Sequence, residues 1–391
     1  METLPIVRLS SSGYALWLEK HYTYPDHTIA DAPTGLKPGD PVRIALPEGT
    51  VTGTGYFNTR SRLPLRVLSF DTHPIDSEFW TALLESALTF RRRFYPPGDS
   101  YRLVFGEADH IAGLIVDVFG SIAVIQITTS GLERYREAIL DSVETVVRPD
   151  AIILACDSLP RKKEGLDLYR TVARGSCPGP FSAHVDGLPH YIDTVHGHKT
   201  GFFLDHRDNR AMTASLCSGK RILDLFCFSG ALSIRAARTG AERITAVDIH
   251  DPSIQLGRQT ACLNQCSDRI DFIHDEAFSF LRNTSDQYDL IFLDPPSFVR
   301  GSHRAMRNLA NYIKINTLAL NALVPKGILV TSCCSFHVSR PDFMTVAATS
   351  LKQAERTGRI FRVGGQSPDH PILANVEGTD YLKCFFIETD R

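Results

Sequence analysis

The first 70 residues carry a short-period pattern of apolar and polar positions. The stretch PGDPVRIALPEGTVTGTGYFN (38–58) alternates the two kinds of residue between glycine and proline turns. A period of two is typical of strands with one buried face, and closely spaced turns favour a closed sheet. We therefore predict a small β-barrel over residues 1–70.

Helical and strand patterns are mixed over residues 71–185. SEFWTALLESALTFRRRFY (77–95) and GLERYREAILDSVETVV (131–147) have apolar residues at helical spacing. YRLVFGEADHIAGLIVDVFGSIAVIQI (101–127) alternates about a turn at 119–121, and AIILAC (151–156) has the length of a buried strand. RKKEGLDLYRTVARGSCPGP (161–180) indicates a loop-rich connection. Together these segments predict a small α+β middle domain.

From residue 186 onward, apolar strand runs alternate with helical patterns. This order is typical of a doubly wound, Rossmann-like α/β domain with a parallel sheet, which we predict over residues 186–391. The final run, YLKCFFIE (381–388), would be an edge strand or an antiparallel closing strand. The earlier predicted strands are RILDLFC (221–227), RITAVDI (243–249), RIDFIH (269–274), YDLIFLD (288–294) and GILVTSC (327–333), with a helix through 305–324.

Composition limits the classes of protein that remain. The chain is 43% hydrophobic and 22% charged, with a formal net charge of −2, which disfavours a nucleic-acid coat protein but not a local basic patch. Its nine cysteines include no CxxC pair, so zinc and thioredoxin chemistry are disfavoured. There is no signal-peptide pattern and no stretch of membrane-spanning length. We expect a reduced, cytoplasmic protein that binds neither metal nor membrane.

The turn after the first strand of the α/β region indicates the cofactor. LDLFCFSGALS (223–233) joins a strand to a helix, and such turns bring backbone N–H groups to a ligand. Gly230 is its one glycine, and Phe226 and Phe228 stand where small residues would admit a pyrophosphate, so NAD is disfavoured. Asp248 ends the next strand, where an acid can accept both ribose hydroxyls. These features favour S-adenosyl-L-methionine, with Asp224 facing its cationic end.

FLDPPSF (292–298) indicates the reaction. A strand that ends in Asp-Pro-Pro-aromatic forms a rigid turn, because proline cannot continue the ladder. This turn would direct Asp294 and the Pro296 carbonyl toward a planar, nitrogen-rich group, with Phe298 stacked on it. A simple strand-terminating turn explains the prolines but not the cluster. Methyl transfer to a nucleic-acid base is therefore the favoured interpretation.

Two adjacent cysteines follow the last parallel strand, in TSCCSF (331–336). This strand ends at the same edge of the sheet as Asp224, Asp248 and Asp294. A thiolate that adds to C6 of cytosine makes C5 nucleophilic, and cationic surroundings favour the thiolate. Residues 295–341 contain no Asp or Glu, so the run also predicts a phosphate-contacting face. Its cations are Arg300, Arg304, Arg307, Lys314, Lys326 and Arg340.

Several of these segments resemble those of the RlmI-type ribosomal RNA cytosine-5 methyltransferases. The resemblance covers nearly the whole chain. The segments that resemble the family are HKTGFFLDHRDNR (198–210), ILDLFCFSGALSIRAARTGAERITAVDI, DLIFLDPPSF, LVTSCCSFHVSRPDF and PDHPILANVEGTDYLK (368–383). It implies an N-terminal PUA module, a small α+β domain, a class I S-adenosylmethionine domain, and 23S ribosomal RNA as the partner. It leaves a homodimer open.

The resemblance also implies roles for individual residues. Cys334 corresponds to the family's nucleophile, Asp294 would hold the N3/N4 edge of the cytosine, and Cys333 would be a packing residue, because neighbouring strand residues point in opposite directions. The chain departs from the family at His198 and His206, where glutamine is common, and at Glu276, where Asp is usual. The implied cofactor-binding residues are Lys199, Thr200, Gly201, Phe203, Asp205, Arg207, Arg210, Asp224, Phe228, Gly230, Asp248 and Glu276.

Two other hypotheses remain at this stage. The Asp-Pro-Pro-aromatic motif by itself suits methylation of an exocyclic amine, which would make the enzyme indifferent to Cys334. An RNA-binding assembly factor that keeps the fold without turnover is the third hypothesis, although the four residues Asp224, Asp248, Asp294 and Cys334 argue against it.

Overall fold

The computed structural model describes residues 4–197, 199–299 and 305–390. The chain divides into two compact units. The first comprises Met1–His184, Asp193–Phe202 and Pro368–Thr379, and the second comprises Val185–Ile192, Phe203–Ser367 and Asp380–Arg391.

The first unit begins with a six-stranded sheet. Its strand order is β2-β6-β5-β4-β1-β3, with β1 and β4 parallel and the other pairs antiparallel. Alternate residues such as Val7 and Leu9 are fully buried, which is the pattern expected of a sheet with one face on a core. The elements are β1 (Ile6–Leu9), α1 (Ser11–Leu18), β2 (Thr23–Tyr24), β3 (Ile29–Asp31), β4 (Asp40–Ala45), β5 (Val51–Phe57) and β6 (Leu65–Ser69).

A five-stranded sheet follows in the same unit, in the order β11-β10-β9-β8-β7. Helices α2 and α4 pack on it through apolar residues such as Trp80 and Leu140. Within the predicted loop-rich connection over 161–180, Tyr169–Gly175 is a strand that the sequence did not indicate, and it pairs antiparallel with β10. The elements are α2 (Ser77–Arg91), β7 (Tyr101–Phe105), β8 (Leu114–Phe119), β9 (Ile122–Ile127), α3 (Ser130–Arg134), α4 (Arg136–Val147), β10 (Ala151–Cys156), α5 (Leu159–Lys163), β11 (Tyr169–Gly175) and β12 (Phe181–Val185).

The second unit is a seven-stranded sheet with helices on both faces. Its elements are β13 (Leu188–Ile192), α6 (Arg207–Ser215), β14 (Arg221–Leu225), α7 (Ala231–Arg238), β15 (Arg243–Asp248), α8 (Asp251–Leu263), β16 (Ile270–His274), α9 (Ala277–Asn283), β17 (Tyr288–Leu293), α10 (Ala305–Asn321), β18 (Leu323–Cys333), α11 (Arg340–Gln353), β19 (Gly358–Gly364) and β20 (Lys383–Thr389). Single 3₁₀ turns lie at Asp26–Thr28, Gly106–Asp109, Ser267–Arg269 and Glu377–Thr379.

The strand order of this sheet is β16-β15-β14-β17-β18-β20-β19. Strands β14 to β18 are parallel, and alternate residues supply two cores: Ile222 packs with α7 and α8, whereas Leu223 packs with α9 to α11. The predicted antiparallel strand is β20, which lies inside the sheet between β18 and the edge strand β19. The predicted doubly wound α/β fold class is confirmed, while the predicted domain boundaries remain predictions.

Candidate active site

The parallel strands of the second unit bring the chemistry-bearing residues to one edge, because their carboxyl ends coincide. The turn from β14 to α7 has three left-handed residues, with φ of +60° at Phe226, +51° at Phe228 and +73° at Gly230. A Cβ at Gly230 would lie 2.7 Å from Phe272 Cε1, so glycine is required there for close packing as well. Left-handed phenylalanines are unfavourable, and such strain concentrates at functional sites.

Asp248 holds this turn. Its Oδ2 accepts a hydrogen bond from the Phe228 N–H and its Oδ1 from the His250 N–H, both at 2.8 Å. The Phe203 ring packs edge-on against the Phe228 ring, with centroids 5.0 Å apart. The second unit therefore brings together three of the residues predicted to bind the cofactor. Each carboxylate oxygen of Asp248 retains a lone pair for a ribose hydroxyl.

Asp224 is 2% exposed and accepts a hydrogen bond from the Ser233 hydroxyl at 2.6 Å. Burial, opposed by hydrogen bonds from Ser233 and assisted by the negative charges of Asp294 and Asp248, raises its pKa to about 7. A cationic ligand would relieve this cost of charging Asp224. In the same turn, the buried Ser229 hydroxyl has no hydrogen-bond partner within the described residues. A positively charged ligand with polar groups, such as S-adenosylmethionine, fits the buried Asp224 carboxylate and the Ser229 hydroxyl.

Other predicted cofactor residues have structural partners in the second unit. Glu276 caps α9, since its Oε2 accepts from the Ser279 N–H at 2.8 Å. Arg207 Nε lies 3.0 Å from Asp186 Oδ1, and Arg210 Nη2 lies 3.2 Å from Asp186 Oδ2, all three being buried or nearly so. The roles of Glu276, Arg207 and Arg210 toward the cofactor remain predictions.

The remaining predicted cofactor residues lie on the segment 198–205. Asp205 Oδ2 accepts from the Tyr381 hydroxyl at 2.6 Å. Lys199, Thr200 and Gly201 belong to the first unit, where the Lys199 carbonyl accepts from Arg170 Nη2 at 2.6 Å. His198 lies outside the described residues. The cofactor contacts of this segment remain predictions.

Asp294 lies at the centre of a hydrogen-bond network. His206 Nε2 is 3.1 Å from its Oδ1, which also accepts from the Ser332 hydroxyl. Asn209 Nδ2 donates to the Gly365 carbonyl at 2.8 Å and lies 3.1 Å from His206 Nδ1. In the neutral ring, this contact makes Nδ1 the acceptor and Nε2–H the donor to Asp294.

Burial alone would lower the pKa of His206, but the charge of Asp294 and the hydrogen bond to it raise that pKa overall. Within the described part of the chain, Asp294 Oδ2 has no hydrogen-bond partner, and 28% of this side chain is exposed. The network thus fixes one carboxylate oxygen and leaves the other for a ligand.

The two adjacent cysteines differ in exposure. Cys333 ends β18 with no exposed surface, whereas Cys334 is partly exposed and its Sγ lies 3.8 Å from the Pro295 carbonyl oxygen. Burial raises the pKa of Cys333, although a hydrogen bond with Tyr312 acts in the opposite direction. Cys334 is therefore the thiol that lies at the Asp294-Pro-Pro turn and is open to a substrate.

Within the described residues, the cation beside the thiols is one that the sequence did not indicate, and the predicted contribution of Arg300, Arg304 and Arg307 remains a prediction. Arg300 and Arg304 lie outside the described residues, Lys326 is exposed, and Arg340 pairs with Asp380 at 3.2 Å. Lys383 on β20 is 2% exposed and donates to the Ser335 carbonyl at 2.9 Å, one residue after Cys334.

Sequence reasoning also missed Ser332 and His206 as partners of Asp294. The only signal was the departure from the family pattern at His206. The contacts of Ser332 and Lys383 follow from strand register over long sequence separations, which no local motif contains.

The fold and this site define the protein as an S-adenosylmethionine-dependent methyltransferase. Residues 180–378 match the family model described as S-adenosylmethionine-dependent methyltransferase, and residues 7–70 match a PUA-like domain. The chain is 33% identical over 357 residues to ribosomal RNA large subunit methyltransferase I of Klebsiella pneumoniae (strain 342), with 89% of each chain covered. It belongs to the ribosomal RNA large subunit methyltransferase I family. The cofactor is S-adenosylmethionine, as the sequence predicted.

Solved structures share the fold. A protein from Streptococcus mutans, assigned to the S-adenosylmethionine-dependent methyltransferases, superposes with a TM-score of 0.83 at 19% identity, covering 98% of this chain and 99% of that one. A methyltransferase structure complexed with S-adenosylhomocysteine gives a TM-score of 0.82 at 19% identity, covering 99% of this chain and 100% of that one. Among the described helices, none combines the length and apolar character needed to cross a bilayer.

Proposed function

We propose that this protein methylates C5 of a cytosine in large-subunit (23S) ribosomal RNA, through a covalent bond between Cys334 and C6 of the base. The observation that carries this proposal is the partly exposed Cys334 thiol, 3.8 Å from the Pro295 carbonyl and next to the Asp294 turn. The relatives that cover 89% of the chain are named for methylation of large-subunit ribosomal RNA, which supports the substrate class.

The steps follow from the chemistry of the base. The Cys334 thiolate bonds to C6 as the C5=C6 double bond opens, which places a nucleophilic electron pair at C5. Bound S-adenosylmethionine supplies the methyl group that C5 takes up. Loss of the C5 proton to a base then restores the double bond and expels the thiolate from C6. The target cytosine must leave its stack or lie in a single-stranded region to reach the thiol.

Asp294 positions the cytosine in this proposal. Its Oδ1 is engaged by His206 and Ser332, so its Oδ2 faces the base and accepts from the N4 amine. Uracil presents a carbonyl at this place, which a carboxylate repels. The carboxylate therefore selects cytosine and also holds C6 near Cys334.

The chain's own residues hold the cofactor at the adjoining turn. Asp248 accepts from the ribose hydroxyls, and the Phe203 and Phe228 rings form an apolar wall. Asp224 and the Ser229 hydroxyl face the cationic methionine end, which suits the high cost of charging Asp224 without a cation. Lys199, Thr200, Gly201, Asp205, Arg207, Arg210 and Glu276 remain candidates for further contacts.

The deciding experiment combines labelled S-adenosylmethionine, unmodified 23S ribosomal RNA and nucleoside mass spectrometry. Label in 5-methylcytosine that disappears in Cys334→Ala but persists in Cys333→Ala is the expected result. Label in an N-methylated base, unaffected by Cys334→Ala, would replace this proposal with exocyclic-amine methylation. Absence of label together with absence of cofactor binding would favour the RNA-binding factor.

A second experiment tests the covalent bond directly. RNA containing 5-fluorocytidine at the target has no C5 proton to lose, so the bond from Cys334 to C6 should persist. We expect a complex that resists denaturing electrophoresis and that Cys334→Ala does not form. A complex of equal yield with Cys334→Ala would exclude Cys334 as the nucleophile.

A further inference from the structure

The loop between β5 and β6 of the PUA-like domain is rigid. The Asn58 N–H donates to the Pro64 carbonyl at 2.8 Å, and the Arg60 N–H donates to Asn58 Oδ1 at 3.0 Å. The Leu63 N–H donates to the Ser61 hydroxyl at 3.2 Å. Backbone and side-chain hydrogen bonds within the loop thus hold its conformation.

Glu164 joins this loop to α5 in the same unit. It is 5% exposed and accepts hydrogen bonds from Asn58 Nδ2 and the Ser61 hydroxyl, both at 2.7 Å, and from Arg66 Nη2 at 3.0 Å. The negative charge at the centre is therefore buried and paired. Arg66 itself is 9% exposed, and its Nη1 has no hydrogen-bond partner within the described residues.

Four exposed cations lie on the two elements that meet at this junction: Arg60 and Arg62 on the loop, and Lys162 and Lys163 on α5. We call them the basic ridge. The Arg60 side chain lies against Gly165, where an added Cβ would be 3.0 Å from Arg60 Nη1, so the two elements meet closely. Both elements present cations to solvent, and Glu164 does not neutralise them because Arg66 already pairs with it.

We propose that the basic ridge binds the phosphate backbone of the RNA substrate. This inference rests on the proposed function, which makes RNA the polyanion that the protein must hold. Exposed cations on two elements that meet closely suit the charges of a nucleic-acid backbone and carry no sequence preference. The ridge supplies affinity and register, whereas base selection belongs to Asp294 and Cys334.

The test compares two fourfold variants that remove the same charge. One carries Arg60→Gln, Arg62→Gln, Lys162→Gln and Lys163→Gln, and the control carries Lys20→Gln, Arg148→Gln, Arg282→Gln and Lys352→Gln at other exposed sites. Affinity for unmodified 23S ribosomal RNA is measured over a range of salt concentrations. We expect the ridge variant to bind at least tenfold more weakly, with a salt slope reduced by up to about 3, since each phosphate contact contributes about 0.7.

An equal loss of affinity in both variants would overturn the proposal, because it would reflect net charge alone. Cofactor binding should be unchanged in the ridge variant. If the wild-type protein makes no 5-methylcytosine yet the ridge variant still loses RNA affinity, the proposed reaction fails and the ridge stands. If the ridge variant instead loses binding to a protein partner and keeps RNA affinity, the ridge belongs to that partner.

A different observation carries a second inference, about Lys383. In the antiparallel pair of β18 and β20, Cys333 lies opposite Lys383. Lys383 Nζ donates to the Ser335 carbonyl at 2.9 Å, and to the Tyr381 and Asp380 carbonyls at 3.3 and 3.4 Å. Lys383 therefore pairs with Cys333 by strand register and with Ser335 by a hydrogen bond, and these two residues flank Cys334 in the chain.

We infer that Lys383 is a positioning residue that holds the Cys334 turn and supports the thiolate with its positive charge. Burial lowers the pKa of Lys383, yet three carbonyl acceptors use all three ammonium protons and so favour the charged form. The thiols of Cys333 and Cys334 both interact electrostatically with this ammonium. A buried cation acts more strongly on a neighbouring thiol than a solvated arginine does.

The test is the alkylation of Cys334 by iodoacetamide as a function of pH, followed by peptide mass spectrometry. We expect Lys383→Met to move the midpoint upward and to slow alkylation near neutral pH by roughly tenfold, as a shift of one pKa unit implies. Lys383→Arg should restore part of the rate. An unchanged profile in a Lys383→Met protein that still binds S-adenosylmethionine would overturn the inference.

If Lys383→Met does not fold, the wild-type profile decides. A midpoint at or above that of an ordinary cysteine, about 8.5, would show that no cation supports the thiolate. This readout needs no methyl transfer, so it remains valid if the proposed function fails.

Discussion

His206 Nε2 lies 3.1 Å from Asp294 Oδ1, which joins the segment before α6 to the end of β17. Asn209 fixes the opposite ring nitrogen, so the neutral His206 ring can only donate to Asp294. A glutamine amide could donate to the same oxygen. We therefore expect His206→Gln to keep most of the methyl-transfer activity and His206→Ala to lose about tenfold, or about 1.4 kcal/mol, in kcat/KM.

The same pair makes stability depend on pH. Because the pKa of folded His206 is raised, its protonated form stabilises the fold below the ordinary pKa of 6.5, and this contribution is lost as the pH rises through the raised value. The free energy of unfolding in urea should therefore differ most between wild type and His206→Gln at low pH. The exposed His73→Gln variant is the control, and a pH-independent difference would contradict the argument.

Asp224 should also make stability depend on pH, in this case through the cost of charging a buried carboxylate. With a folded pKa of about 7, the folded protein retains a proton that the unfolded chain releases near pH 4, so stability falls as the pH rises between these values. Asp224→Asn removes this penalty and should gain up to roughly 4 kcal/mol on wild type from pH 4 to pH 7. Urea unfolding measures it, with the exposed Asp286→Asn as control.

Asp224→Asn should also bind S-adenosylmethionine more weakly, since the carboxylate that faces a cationic ligand is gone. Isothermal titration at pH 8 measures this affinity. Equal affinity in wild type and variant would remove Asp224 from the cofactor site.

Asp186 should be essential for the fold of the second unit. Burial alone would raise its pKa, but Arg210, Arg207 and Arg235 together lower it. Asp186→Ala removes the buried carboxylate that Arg207 and Arg210 both contact, and we expect a loss of about 3–5 kcal/mol in the free energy of unfolding. Asp271→Ala, which breaks the exposed Arg243–Asp271 pair, should cost less than about 1 kcal/mol. Equal costs would show that burial does not matter here.

The adjacent cysteines should separate stability from activity. Cys333 is fully buried, so Cys333→Ala should lower the free energy of unfolding by about 1 kcal/mol and retain methyl transfer. Cys334→Ala should leave stability within about 0.5 kcal/mol and abolish methyl transfer. Thermal unfolding and a labelled-methyl assay on the same preparations check both expectations. If Cys333→Ala abolished methyl transfer and Cys334→Ala retained it, Cys333 would be the nucleophile and Cys334 the packing residue.

The sequence predicted the fold where periodicity was strong and failed where it was weak. The parallel strands were recognisable because both their faces are buried, as at Ile222 and Leu223. Strand β11 was not recognised because it lies at the edge of its sheet, half-exposed, with Arg170 and Arg174 directed to acids on neighbouring elements. Edge strands lose the apolar signature that identifies central ones.

At the site, short motifs were informative and long-range pairs were not. Asp294 and Cys334 each lie within a short sequence motif, and the residues of that motif indicate its chemistry. Two other site residues, His206 just before α6 and Lys383 on β20, come from distant parts of the chain. Their contacts depend on which strands become neighbours in the sheet. Arg207 and Arg210 were predicted for the cofactor by their place in a motif, yet Asp186, which lies between β12 and β13, binds both guanidinium groups.

The division of the chain bears on how such proteins can be recombined. The backbone passes between the two units five times, at residues 184/185, 192/193, 202/203, 367/368 and 379/380. No single cut separates the units, and a fragment starting at Phe203 would lack Asp186, whose carboxylate contacts Arg207 and Arg210. Exchange of the first unit with that of a relative would therefore have to carry three separate segments together, so the chain is far easier to inherit as a whole than to shuffle in parts.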